Sequence, residues 1–237
     1  MTLLEIVQRF CERTGLGSPS FVIGSTDSQI IQIKGLVDEV LEDMCSRWTW
    51  QDLTEEAHFT TNGVEDQGPV TSIATVGYSR ILNNTIYNRT LRLPFYGPMT
   101  ASQWQALKAL PTTGPFYKYR IRGGKLLFNP ASANGHQCYF EYASTACVLA
   151  ANASTRKSSP TVDSDTIMFD GSLVVAGLRW KWKSEKGLDY AEELARYEAL
   201  VNTANGRDAT KPELSMSGEG AEWRPGILVP PGNWNIS

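Results

Sequence analysis

The sequence predicts an α+β protein: a helical bundle built from both ends of the chain, a β-rich domain inserted between them, and an extended C-terminal arm. Apolar residues recur with helical period over residues 1–50 and again after Asp170. Between residues 51 and 150 the period changes to two and turn signals become frequent. From Gly206 onward, glycine and proline are mixed with bulky apolar side chains. The chain therefore divides into N-terminal bundle helices (1–50), a β-rich insert with one short helix (51–150), a linker with C-terminal bundle helices (151–205), and an arm (206–237).

Each element has a local cause. Thr2-Leu3-Leu4-Glu5 is a capping box, in which the threonine oxygen takes a helix N–H and the glutamate reaches back. Leu3, Val7, Phe10 and Thr14 then share a helical face, and Gly15 is a natural stop. Asp27 caps a second helix reaching about Arg47, with a narrow seam of Ile30, Ile33, Val37, Val40, Met44 and Arg47 or Trp48. In the insert, Ala57, Phe59 and Thr61 alternate with polar residues, Asn62-Gly63 is a turn, and Val70–Val76 reads as a strand. Ile81-Leu82 and Ile86-Tyr87 flank Asn83-Asn84 as a hairpin. A second hairpin joins Tyr117–Ile121 to Leu126–Phe128 through Gly123-Gly124, whose glycines supply positive φ. Thr100–Leu110 is a short helix with Trp104, Leu107 and Leu110 inward, and Gln137–Val148 is a strand with Cys138, Phe140 and Tyr142 facing one way. Polar residues from Ala151 to Asp165 read as a linker. Asp170 opens a helix that Gly187 stops, and Leu188–Asn205 forms another with Tyr190, Leu194, Tyr197 and Val201 in line and a Glu192–Arg196 pair.

Composition narrows the function classes. Charged residues are 20% and apolar ones 41% of the 237, a globular balance, and the net charge of -3 provides no global basic field for nucleic acid. No apolar run approaches the ~20 residues of a bilayer span. The opening residues lack a basic stretch followed by an apolar core, so a protein that stays in the cytosol of its synthesis is expected. Cys11, Cys45, Cys138 and Cys147 have no metal-ligand spacing and read as free thiols.

The sequence offers no candidate catalytic, cofactor-binding or metal residues. Nucleophile elbow, zinc-protease and phosphate-loop patterns are all missing. Only His58 and His136 could activate a nucleophile, and neither has a supporting pattern. Glu55-Glu56, Glu65-Asp66 and Glu192-Glu193 are neighbours in the chain and so point apart. No enzyme activity and no cofactor are expected. A glycosidase acting on cell walls is the minor alternative, because its two carboxylates need not be adjacent in sequence.

Two features suggest contact with partners. The arm carries Trp223, Ile227, Leu228, Val229, Trp234 and Ile236, too apolar for a free tail, and is expected to dock on a neighbouring subunit or partner, the alternative being its own subunit. Arg179, Lys181 and Lys183, followed by Lys186, alternate with Trp180 and Trp182 on a helix and suit a solvated face or an inter-subunit ion pair. Lys118, Arg120, Arg122 and Lys125 border the glycine hairpin, where charge discourages unwanted strand pairing.

Several stretches together carry a resemblance. They are Met1–Val7, Val22–Asp27, Arg47-Trp48-Thr49-Trp50, Ala101-Ser102-Gln103-Trp104, Tyr119–Pro130, Glu141–Ser144, Gly177–Lys183 and Lys186–Glu192. In order and spacing, residues 1–205 resemble the head-to-tail adaptor proteins of bacteriophages, also called tail accessory factors, tail tubular proteins A or head completion proteins. The resemblance implies a structural virion protein without catalysis, at the head–tail junction, made and assembled in the host cytoplasm. It implies a ring with copies of itself, typically twelve, docked beneath the portal protein. Such a ring extends the channel for genomic DNA, binds it without sequence specificity, and offers the tail or nozzle protein an attachment face. A tail or nozzle component without portal contact is the nearest alternative.

Overall fold

Thr2 opens the first helix as its sequence dictates. Its hydroxyl accepts from the Glu5 N–H at 3.3 Å, and its own N–H donates to Glu5 Oε2 at 2.9 Å. These bonds satisfy donors that a helix start leaves orphaned and hold the Glu5 carboxyl below its ordinary range. Helix α1 (Leu3–Thr14) ends at Gly15, which adopts the left-handed φ of 72°. The structure, a computed structural model, describes residues 1–109 and 116–208. Leu110 and the arm beyond residue 208, with Trp223, Ile227, Leu228, Val229, Trp234 and Ile236, lie outside the described residues.

Helix α2 (Ser28–Arg47) starts where Asp27 accepts from the Gln29 N–H at 2.8 Å. Ile30, Ile33, Val37, Val40 and Met44 are buried as expected, but so are Leu36 and Leu41. The apolar face is thus broader than a narrow seam, because the helix touches more than one neighbour. Arg47 leaves the seam for Asp43 at 2.9 Å and Glu198 at 2.7 Å, and Trp48 is 39% exposed.

After a 3-10 turn at Gln51–Leu53 the chain enters β1 (Thr54–Thr60), β2 (Asp66–Pro69), the single helical turn α3 (Val70–Ile73), β3 (Tyr78–Ile81) and β4 (Tyr87–Asn88). There follow β5 (Leu93–Pro94), α4 (Ala101–Ala109), β6 (Lys118–Arg122), β7 (Lys125–Asn129) and β8 (Gln137–Ser144). Strand β8 is the spine of a five-stranded sheet, with β1 on one edge and β3 and β4 successively along the other; β5 extends β4. Strands β2, β7 and β6 form a second sheet. The glycine hairpin forms as expected, pairing Arg122 with Lys125 across Gly123 and Gly124 at φ 58° and 73°.

Three expectations in this region are corrected. Val70–Val76 is not a strand: Val70 N–H donates to the Gly124 carbonyl and Ala74 N–H closes onto Val70, so tertiary contacts override β-branched propensity. Asn83-Asn84 is not a hairpin turn, because β3 and β4 both pair with β8 rather than with each other. Between them Asn84 takes φ 63°, and Thr85 bonds Leu82 and Glu141, bulging the chain out of one edge. The long strand stops at Ser144, where the hydroxyl donates to the Val76 carbonyl at 2.6 Å and turns the chain away.

Beyond that turn β9 (Val148–Leu149) joins β10 (Arg156–Lys157) and β11 (Thr166–Ile167) in a third sheet. The expected linker 151–165 is therefore partly a strand, and Asp165 is completely buried. Helix α5 (Gly171–Glu185) starts at Asp170, which accepts from the Ser172 N–H at 2.7 Å. Helix α6 (Ala191–Asp208) starts three residues later than expected and runs past the expected boundary at 205, with Asp208 accepting from the Gln51 N–H at 2.9 Å. The Glu192–Arg196 pair is not among the ion pairs of the described residues; Glu193 is the residue that turns inward.

The result is a mixed helix-and-sheet protein with two apolar clusters. One gathers α1, α2, α5 and α6 with Trp50, Leu53, Cys147, Val148 and Ile167. The other lies between the sheets of the β-rich region, where Phe95 and Phe128 stack at 4.1 Å. Gly177 marks the closest approach in the helical core, since a Cβ there would lie 2.7 Å from the buried Val40 Cγ1.

Asp165 secures the start of the chain to this core. Its carboxylate accepts from Lys157 Nζ at 2.9 Å and from the N–H groups of Thr161 and Val162 at 2.8 and 3.0 Å. Burial opposes its ionisation, but the Lys157 bond and the two backbone donors prevail and hold it at about 2. Asp165→Ala is expected to lower the unfolding free energy by about 3 kcal/mol in urea titration, because it unpairs the half-buried Lys157 and removes the acceptor of the Thr161 and Val162 N–H groups. Because the folded pKa is depressed from 3.8, the contribution is complete above about pH 4 and fades as pH falls toward 2. Asp165→Asn flattens that part of the stability–pH curve. Gly177→Leu is expected to cost at least about 2 kcal/mol by overpacking against Val40, measured in the same titration.

Candidate docking surface

Helix α5 presents the first basic cluster. Lys181 reaches Glu39 on α2 at 3.0 Å while lying 5.4 Å from the Trp180 ring centre. Arg179, at 3.4 Å, and Lys183 both reach Glu193 on α6. The Lys183 bond is the chief reason that the Glu193 carboxyl sits below its ordinary range. Lys186 lies 4.4 Å from the Trp182 ring centre and donates to Gln32. Lys181 and Lys183 thus staple α5 to α2 and α6 within one chain, and Arg179 shares its carboxylate with Lys183.

The second cluster is arranged differently. In β6, alternation puts Lys118, Arg120 and Arg122 on one face, about 6.7 Å apart along the strand. Strand β6 is an edge of its sheet. Lys125 pairs with Asp66 at 2.7 Å, but Lys118, Arg120 and Arg122 have no ion pair among the described residues. Phe116, 65% exposed, lies just ahead of them.

The remaining candidates resolve into structure. Adjacent carboxylates diverge, each to its own cation: Glu55 to Arg156, Glu56 to Arg89, Glu65 to Lys108 and Asp66 to Lys125. His58 stacks on Tyr139, whose ring also lies 3.5 Å from the Arg89 guanidinium carbon. His136 Nδ1 sits 3.1 Å from both Asn88 Nδ2 and Ser132 Oγ, closing a polar nook at the sheet end. Among the described residues no group of three or more His, Cys, Asp or Glu side chains is arranged to hold a metal ion. No described helix is long and apolar enough to cross a membrane.

Two clefts lie where the helical and β-rich parts meet. One of about 570 Å³ is walled by hydroxyls such as Thr75, Thr145, Ser159 and Thr161 with Arg156 and Lys157. Both of those cations are already neutralised, by Glu55 and Asp165. The other, about 400 Å³, exposes Asp38, Glu42 and Cys45. Sequence spacing missed a third grouping, in which Arg179 meets Arg13 and Arg196 around a cavity of about 110 Å³. The three come from different helices, so no local pattern connects them.

No family model matches the chain, and no curated protein matches it.

The four cysteines are free, with Cys11, Cys138 and Cys147 buried and Cys45 half-buried. Burial pushes the Cys138 thiol up to about 12. Iodoacetamide at pH 8 is therefore expected to leave Cys138 unmodified in the folded protein and to label it fully in urea, as read by peptide mass spectrometry.

Proposed function

We propose that this chain is a structural adaptor of a bacteriophage virion, forming a ring beneath the portal and presenting an attachment face to the tail. In this reading the helices from both chain ends form a bundle that packs side by side around the ring. The β-rich insert points toward the tail, and the arm from residue 209 reaches a neighbouring subunit or the portal. The observation that carries the reading is the separation of two apolar cores. Helices from residues 3–47 and 171–208 share one core, and residues 57–142 supply the other. That is the division the resemblance implies, with one part free to pack laterally while the other projects.

Charge supports the same reading. At -3 per chain, a ring of such subunits is acidic overall, which lets DNA pass without adhering to the wall. The paired cations of α5 belong to the subunit's own framework in this scheme. Lateral contacts between subunits therefore fall to the remaining surface of the helices and to the arm.

Light scattering of the purified protein, alone and mixed with isolated portal rings of the same phage, tests the proposal. A defined multi-copy complex with the portal is expected; a protein that ignores the portal would overturn the adaptor role. Removing residues 209–237 is expected to preserve the circular dichroism of the fold and abolish that complex. Undiminished assembly by the truncated chain would contradict the role given to the arm.

A further inference from the structure

Arg13 lies in the last turn of α1, Arg179 in the middle of α5 and Arg196 in the second turn of α6, yet all three line one cavity. Its volume, about 110 Å³, is well below the ~300 Å³ of a small-molecule pocket, so it admits a single compact group. Small and apolar side chains, Ala176 and Leu200, line it between α5 and α6. Guanidinium groups cannot shed their protons, so their mutual repulsion is not relieved by titration. The one carboxylate in the lining is Glu193, and it is shared between Arg179 and Lys183. Arg13 and Arg196 have no ion pair among the described residues. Three guanidinium groups and Lys183 therefore share one carboxylate, an excess of positive charge that a bound anion would reduce.

We propose that this cavity is a phosphate-binding site. The guanidinium forks of Arg13 and Arg196 at its rim and of Arg179 on its wall are the donors, each matched to two phosphate oxygens. The Ser172 hydroxyl also lines the cavity but is committed to Asp170 Oδ1 at 2.8 Å, so recognition falls to the arginines. Phosphate presents its oxygens tetrahedrally to forks from three helices, whereas a planar carboxylate matches one fork, which favours phosphate. The group can be free inorganic phosphate or a backbone phosphate of DNA, and the site binds either through the same contacts. This inference does not depend on the adaptor reading.

The test uses the full chain in phosphate-free buffer at fixed ionic strength. Inorganic phosphate at about 20 mM is expected to raise the melting temperature by about 3 °C or more, with acetate giving less. Arg13→Ala/Arg196→Ala, on exposed positions, is expected to remove the rise. Arg120→Ala/Arg122→Ala, with the same change in net charge elsewhere, is expected to keep it. A short DNA duplex, followed by fluorescence anisotropy, separates the sources. Binding of the duplex that weakens at least tenfold in Arg13→Ala/Arg196→Ala, without a response to inorganic phosphate, assigns the site to DNA. No response to either probe overturns the proposal, as does an equal response in both double variants or a shift by acetate equal to that by phosphate.

Discussion

A buried carboxylate holds the two ends of the helical core together. Asp165 draws Lys157 and the N–H groups of Thr161 and Val162 around itself, fixing the shape of the segment that precedes β11. With that shape set, the same segment grips the start of the chain: Leu3 N–H donates to the Asp165 carbonyl at 2.9 Å, Leu4 to Asp163 at 3.2 Å, and Ile167 to Met1 at 2.9 Å. The Asp163 carboxylate takes the N–H groups of Val22 and Ile23, which fixes the loop between α1 and α2. Residues 140 or more positions apart are thereby tied together through backbone groups. A buried charge is unfavourable unless every lone pair is used, so this cluster also selects one arrangement over looser ones.

From that anchor the two parts of the molecule are joined by few but varied contacts. Arg156 in β10 reaches Glu55 in β1, Arg80 in β3 reaches Thr49 at 2.6 Å, and Cys45 in α2 lies 3.8 Å from the Thr145 carbonyl. These are polar or glancing, whereas each apolar cluster is closed on itself. The joint therefore orients the β-rich part relative to the helices without merging the cores.

Helix ends were the most legible feature of the sequence, because their causes are local. Thr2, Asp27 and Asp170 each supply an oxygen within two or three residues of the N–H it accepts from. The glycine hairpin was legible for the same reason. What was not legible depended on distant partners. Val70–Val76 has strand-like residues, but Gly124, across the sheet, takes the Val70 N–H and the chain coils instead. The segment Ala151–Asp165 has the composition of a linker, and nothing local reveals that Lys157 and the strand beside it will bury Asp165. The basic residues of α5 were found from sequence, but their carboxylate partners on α2 and α6 were not. The meeting of Arg13, Arg179 and Arg196 is visible only once three helices are packed.

In the adaptor reading, a rigid helical unit built this way suits lateral packing in a ring, and the separately cored β-rich part suits projection toward a partner. Electron cryomicroscopy of the phage neck, with this subunit's fold fitted to the density, tests that claim most directly. The account predicts repeated copies between portal and tail, with α1, α2, α5 and α6 forming the lateral contacts and the β-rich part facing the tail. Density for this chain confined to the tail, away from the portal, would contradict it.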